Sequence, residues 1–216
     1  MPSIYQIKPR FQALLRPLVQ GLAAAGVTAN QVTLAAAVLS IAAGAYLAQE
    51  AARPVVWFLL PVVLFVRMAL NAIDGMLARE HGQRSALGAF LNELCDVISD
   101  AALYLPFALI PGKQLEGIID MPPLPGVEPI IVIVAVLLAA LSEMAGVVAI
   151  QVGAERRYDG PMGKSDRALA FGFLAVLVGI DILPAARLSW AIGLLALLTA
   201  WTIVNRVRAG LRQVKA

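Results

Sequence analysis

The sequence predicts an all-α, polytopic membrane protein of six transmembrane helices preceded by an amphipathic helix in the membrane interface. Three observations carry that expectation. Hydrophobic residues fill 60% of 216 positions and charged residues 14%, against about half apolar and a quarter charged in a soluble domain. Six apolar runs are long enough, or nearly so, to cross ~30 Å of hydrocarbon at ~1.5 Å per helical residue. Lysine and arginine, finally, are distributed unevenly about those runs.

The chain opens with Ile4, Ile7, Phe11, Leu14, Leu15, Leu18 and Leu22 at spacings of three and four, with Lys8, Arg10, Gln12, Arg16 and Gln20 between them. That pattern describes a basic amphipathic helix lying in the headgroup plane. Pro9 suits its first turn, whereas Pro17 is expected to break or kink it. A cleaved signal peptide is the rival reading, and the apolar stretch is too short and too interrupted for one. Thr28 and Asn30 offer caps for the helix that follows.

The six spans are placed at Val32–Ala48, Val55–Ile73, Ala86–Ile110, Ile130–Val152, Ala168–Leu183 and Leu188–Val204. Helices are required, because lone strands cannot satisfy their backbone groups in lipid. Of 17 lysines and arginines, 13 fall on one side; Arg53, Lys113 and Arg187 fall on the other and Arg67 lies within a span. This bias places both termini and the loops 78–85 and 154–167 in the cytoplasm. No internal repeat appears, so residues 1–216 read as a single membrane-embedded domain, with 1–28 interfacial and 29–216 the six-helix core. The net charge of +3 suits anionic lipid rather than nucleic acid. The single cysteine, Cys95, excludes an internal disulfide and reads as packing, and His81 as a solvated loop residue.

Chemistry concentrates between residues 71 and 100. Asn71, Asp74 and Gly75 sit near the cytoplasmic end of the second span, followed by Ala78 and Arg79; Gly88, Asn92, Asp96 and Asp100 recur every fourth residue along the third. Antiparallel helices joined by a short loop bring these faces to similar depth. Oxygen donors converging from two helices suit a hard divalent cation such as Mg²⁺. The small residues leave room for a ligand or for close backbone approach. The bland alternative is helix–helix packing, but ionisable groups inside a membrane are costly and usually functional.

This segment resembles the signature of the CDP-alcohol phosphotransferase (CDP-alcohol phosphatidyltransferase) family, Asp-x2-Asp-Gly-x2-Ala-Arg-x8-Gly-x3-Asp-x3-Asp. Asp74, Gly75, Ala78, Arg79, Gly88 and Asp96 match with the right gaps. Val27–Thr33 resembles the approach to the family's first helix, with Ala29 in place of proline, and Gly163–Arg167 resembles the basic start of its fifth. Two positions depart from the pattern. Asn71 and Asn92 replace the first and third aspartates, so the site offers two fewer negative charges; Glu93 and Asp100 are candidate compensations.

The resemblance implies a metal-dependent enzyme of the bacterial inner membrane, active on the cytoplasmic side and homodimeric. It would pass a phosphatidyl group from CDP-diacylglycerol to a small hydrophilic alcohol, releasing CMP. The acceptor stays open, from inositol or serine to glycerol 3-phosphate or inositol phosphate. By the same carry-over Asp74, Asp96, Asn71 and Asn92 hold Mg²⁺ or Mn²⁺, and Asp96 removes the acceptor proton. Asp74, Gly75, Ala78, Arg79 and Gly88, with Asn30, line the nucleotide and pyrophosphate site. Lys164, Arg167, Arg156, Arg157 and Glu143 are candidates for the acceptor side. Glu143 either contacts an acceptor hydroxyl or pairs with a neighbouring cation. Arg67 and Asp100, each one turn deeper than the motif, are expected to form a structural ion pair; the rival is that Asp100 joins the metal and Arg67 reaches a phosphate. Two other functions remain in view: a soluble CDP-alcohol donating to a lipid, and a degenerate member that binds nucleotide-lipid without turnover.

Overall fold

A computed structural model describes residues 4–112 and 125–215. Among them the chain is helical throughout, with no strand. Helix α1 spans Ile4–Ala24, α2 Ala29–Gln49, α3 Leu59–Glu80, α4 Ala86–Tyr104, α5 Pro129–Gln151, α6 Lys164–Gly179 and α7 Ala185–Lys215. Lys113, one of the cations expected on the far side, lies outside the described residues, as do the side chains of Ile4, Ile7 and Lys8.

Among the described residues, four stretches are long and apolar enough to cross a membrane: Ala29–Gln49, Pro54–Glu80, Pro129–Gln151 and Ala185–Val214. Their outward faces carry large apolar side chains, among them Val38, Phe65, Leu137, Trp190 and Leu197. So much exposed apolar surface has no place in water. The chain is an integral membrane protein.

Element ends follow local chemistry. Pro17 does not break α1, which runs through it; the carbonyl that proline leaves without its helical partner belongs to Ala13, on an exposed turn. Thr28 caps α2 by accepting from the Gln31 amide, while the Gln31 side chain accepts from the Thr28 amide. The third run ends early as a helix, at Tyr104, because Pro106 forces a 3₁₀ turn over Leu105–Leu109. Helix α6 starts at Lys164, four residues before the expected span, since Asp166 Oδ2 accepts from the Gly163 amide at 3.0 Å.

One end of the bundle is an apolar core. Trp57, Leu60, Leu103, Tyr104, Phe107 and Phe171 are fully or almost fully buried there. Tyr104 stacks on Phe171 at 4.0 Å between centroids, and Trp57 lies 4.4 Å from Phe107. Helices α2 and α4 approach closely at Gly44, where a Cβ would stand 2.1 Å from the Ala102 carbonyl. Helix α1 lies along α3, with buried Val19 in one cluster with Ile73, Met76 and Leu77, and Arg16 paired with Glu80 at 3.0 Å.

Candidate active site

Three helix ends meet at the other end of the bundle. Helix α3 stops at Glu80, Gly82 turns the chain at φ +68°, and Ser85 caps α4 by accepting from the Gly88 amide at 2.9 Å. Gln83 ties this turn to the start of α2: its Oε1 accepts from the Ala29 amide at 2.6 Å and its Nε2 donates to the Val27 carbonyl at 3.3 Å. The first turns of α2 and α4 thereby border one open cleft of about 680 Å³. Two helix N-termini bias it toward anions.

Asn30, Asp74, Gly75, Ala78, Arg79 and Gly88, the six residues expected at the nucleotide site, all line this cleft, with Thr33, Gln83, Asn92 and Glu93. A side chain at Gly88 would press on Asn30 Oδ1 at 2.9 Å, and one at Gly75 would meet the Arg79 guanidinium at 3.0 Å.

Of the four expected metal ligands, Asp74 and Asn92 line the cleft, Asn71 lines a second cavity, and Asp96 is bonded to Asn71. Asp74 is buried and accepts from Thr33 Oγ1 at 2.8 Å. Asp96 Oδ1 accepts from Asn71 Nδ2 and from Arg67 Nη2, both at 3.2 Å. Its other oxygen is paired with the Lys164 ammonium. Among the described residues no three His, Cys, Asp or Glu side chains gather as a metal cage. The four residues expected as ligands are two carboxylates and two amides, whose oxygens would suit one hard cation, and Lys164 already places positive charge on one of the acids.

Deeper lies a chain of buried ion pairs. Arg67 Nη1 donates to Asp100 Oδ1 at 2.5 Å, and Arg67 Nη2 donates to the Asp96 carbonyl at 2.9 Å. Arg167 Nη2 contacts Asp100 Oδ2 at 3.2 Å and Glu143 Oε1 at 2.9 Å. Glu143 Oε2 lies 3.5 Å from Arg206 Nη1 and 3.7 Å from Arg156 Nη2. Arg156 also grips Glu93, with Nη2 at 2.9 Å from Oε2, and its guanidinium sits 5.2 Å from the Tyr158 ring centre. The structure therefore places Arg167 in the interior, 1% exposed, rather than at an open rim. Glu143 is paired with cations. Arg157 stands apart from this group, held by Asp159 at 2.8 Å and by Gln213 at 3.1 Å. That hydrogen bond holds the Asp159 carboxyl below its usual range.

Three participants escape sequence reading. Thr33 and Gln83 are ordinary polar residues whose partners lie 41 and 54 positions away. Arg206 reads as one more cytoplasmic cation, yet it is 2% exposed and donates to the Ser142 carbonyl. Its one sequence signal is its place near the end of an apolar run.

The second cavity is lined by none of the residues that line the first. An apolar groove of about 530 Å³ opens between α3 and α6, walled by Pro61, Leu64, Phe65, Leu169, Phe173 and Val176. Arg67, Asn71 and Lys164 also line it, so it reaches the residues that hold Asp96.

Comparison with known proteins shows the family and the fold. The sequence profile described as CDP-alcohol phosphatidyltransferase matches residues 26–204. The chain is 46% identical to the inner membrane protein YnbA of Escherichia coli strain K12 over 96% of both chains. It is 32% identical to the archaetidylinositol phosphate synthase of Pyrococcus horikoshii over 48% of this chain and 53% of that one. In fold it resembles the phosphatidylinositol phosphate synthase of Mycobacterium tuberculosis. The structure with CDP-DAG bound superposes with a TM-score of 0.68, 23% identity and 92% coverage of each chain. The structure with manganese and citrate gives 0.68, 24%, and 93% and 88%.

Proposed function

Because this chain belongs to the CDP-alcohol phosphatidyltransferase family, we propose that it transfers the phosphatidyl group of CDP-diacylglycerol to a small hydrophilic alcohol, releasing CMP. The observation that carries this reading is a pair of cavities of different character on the two sides of the motif, with Asp74 in the lining of one and the Asp96 partners Asn71 and Lys164 in the lining of the other. A polar cleft under two helix N-termini ends at Asp74, and an apolar groove ends at Asn71 and Lys164. A nucleotide-lipid needs both, one for its cytidine and pyrophosphate and one for its acyl chains. The fold is that of a protein solved with CDP-DAG bound.

In this reading Asn30, Gly75, Ala78, Arg79 and Gly88 hold the nucleotide and pyrophosphate. Asp74, Asp96, Asn71 and Asn92 would hold one Mg²⁺ or Mn²⁺. A divalent ion there supplies charge neutralisation on the pyrophosphate. Asp96 takes the proton from the acceptor hydroxyl. The acceptor oxygen bonds to the lipid-linked phosphorus as the bond from that phosphorus to CMP breaks. Lys164 has to leave Asp96 for the acid to act, and its stem of rotatable bonds permits that. Arg156 and Lys164 border the acceptor side.

The membrane reading is part of the same proposal. Helices α2 to α7 cross the bilayer as six spans, α1 lies in the headgroup plane, and residues 1–216 form one domain and pair as a homodimer. The termini and site face the cytoplasm of a bacterial inner membrane, which the 13-to-3 division of cations supports.

Asn71 and Asn92 also favour a second reading, a protein that binds nucleotide-lipid without turnover. One assay separates them: CMP release from CDP-diacylglycerol against a panel of alcohols, with Mg²⁺ and Mn²⁺ compared and a CDP-alcohol as alternative donor. The transferase reading expects alcohol-dependent CMP from CDP-diacylglycerol. Donor binding without CMP would favour the binder, and CMP from the CDP-alcohol alone would move the lipid to the acceptor side.

A further inference from the structure

Three arginines from three segments converge on one buried carboxylate. Arg167 begins α6, Arg206 is near the end of α7, and Arg156 is in the connection after α5; all three lie within 3.7 Å of a Glu143 oxygen. Three guanidinium groups aimed at one point are an anion-binding arrangement, the kind that recognises a phosphate. Gly146, one turn on from Glu143, lets the connection after α5 pack closely here, since a Cβ there would stand 2.8 Å from the Arg157 carbonyl oxygen.

Resting on the transferase reading above, we propose that Glu143 is a built-in anion that fills this arginine site, and that the acceptor is therefore an unphosphorylated polyol. Nearby cations are matched in the same way. Arg156 is shared with Glu93, Arg167 with Asp100, and Lys164 is on Asp96. An incoming phosphate would have to displace carboxylates, of which Glu143 and Asp100 are buried. The arginines nevertheless keep something to offer. Each retains a buried Nε–H with no hydrogen-bond partner, and unpaired buried donors are costly to leave unmet. A neutral hydroxyl oxygen can accept such a hydrogen bond without adding a charge. The cluster is linked to Asp96 through Arg167, Asp100 and Arg67, so an alcohol held near it lies toward the proposed base.

The test pairs each alcohol with its own phosphate ester. Wild-type protein with CDP-diacylglycerol should favour inositol over inositol phosphate, or glycerol over glycerol 3-phosphate, by at least about tenfold in kcat/KM, one such interaction's worth. Preference for a phosphorylated member overturns the inference while leaving the transferase reading intact. A second arm needs no turnover. E143Q keeps the shape but frees the arginines, so inorganic phosphate should bind it at least about tenfold more tightly than it binds wild type, and should raise its Tm more. The paired variant E143Q with R206M, which removes a cation along with the anion, should lose that gain. Equal phosphate binding by wild type and E143Q overturns the inference, as does tight phosphate binding by wild type. Should E143Q fail to fold, the wild-type phosphate titration and acceptor ratio decide. Absence of CMP with every alcohol would instead sink the transferase reading, and the phosphate arm would still judge Glu143.

Discussion

The two ends of this helical bundle hold together by opposite means. At one end Trp57, Tyr104, Phe107 and Phe171 interlock, and the indole N–H of Trp57 donates to the Ala51 carbonyl at 3.1 Å. At the other, Arg67, Arg167 and Arg206, each at most 3% exposed, are balanced by Asp96, Asp100 and Glu143. The apolar end is judged by volume, whereas the ionic end is judged by whether each charge keeps its partner. Buried ion pairs add little net stability over apolar packing, because desolvation offsets attraction. Their presence at one end only argues for a role in chemistry and register rather than in holding the bundle together.

The largest effect that would sharpen this contrast is on turnover. D96N should cut CMP release by about 10²–10⁴-fold with the protein still folded and binding CDP-lipid. Turnover within a few fold of the parent would move the base to Asp100 or Glu143. Next come two changes that test stability at the two ends. W57A opens a cavity and should cost about 3–5 kcal/mol. R67M should also destabilise, by less than the ~3–5 kcal/mol of a fully broken buried pair, because it removes one of the two cations on Asp100, yet R67M combined with D100L should recover part of that loss. Recovery is partial because Arg167 also leans on Asp100. No partner change should rescue W57A. If the double variant is stable but inactive, the Arg67–Asp100 pair serves the reaction rather than the fold.

A smaller effect is expected on metal affinity. Aspartates at both Asn71 and Asn92 add two charges at short range and should tighten Mg²⁺ or Mn²⁺ binding by at least about tenfold, read by calorimetric titration. Unchanged binding would contradict the ligand set. The smallest effect belongs to the half-exposed pair of Arg157 and Asp159. Asp159 has its pKa lowered by Arg157, so its contribution is present above the ordinary carboxylate pKa and fades as pH falls through the lowered value. D159N should therefore lower the Tm slightly near neutrality and converge with the parent below about pH 4, where the contribution has already faded.

Much of the fold was legible because its signals are local. Apolar runs gave the helices, the Thr28–Gln31 capping box lies within four residues, and the motif from Asn71 to Asp96 is a continuous stretch. The boundaries that shifted did so for reasons of context. Pro17 sits on an exposed turn that tolerates a lost hydrogen bond, and Asp166 pulled the start of α6 forward. What the sequence hid were partnerships across helices. Glu143 and Arg206 stand 63 positions apart, and nothing in either segment reports the rotation that brings them together. Lys164 is readable as a basic residue at a helix start. Its pairing with Asp96 depends on how α6 packs against α3 and α4.

The central claim is that polar cleft and apolar groove together present one nucleotide-lipid to Asp96. The most direct measurement is CMP formation in proteoliposomes holding CDP-diacylglycerol, Mg²⁺ and an unphosphorylated polyol, with lipid products analysed in parallel. The account predicts CMP and a new phosphatidyl-polyol in equal amounts, both absent with D96N. Saturable CDP-diacylglycerol binding with no CMP from any alcohol, phosphorylated or not, would contradict it.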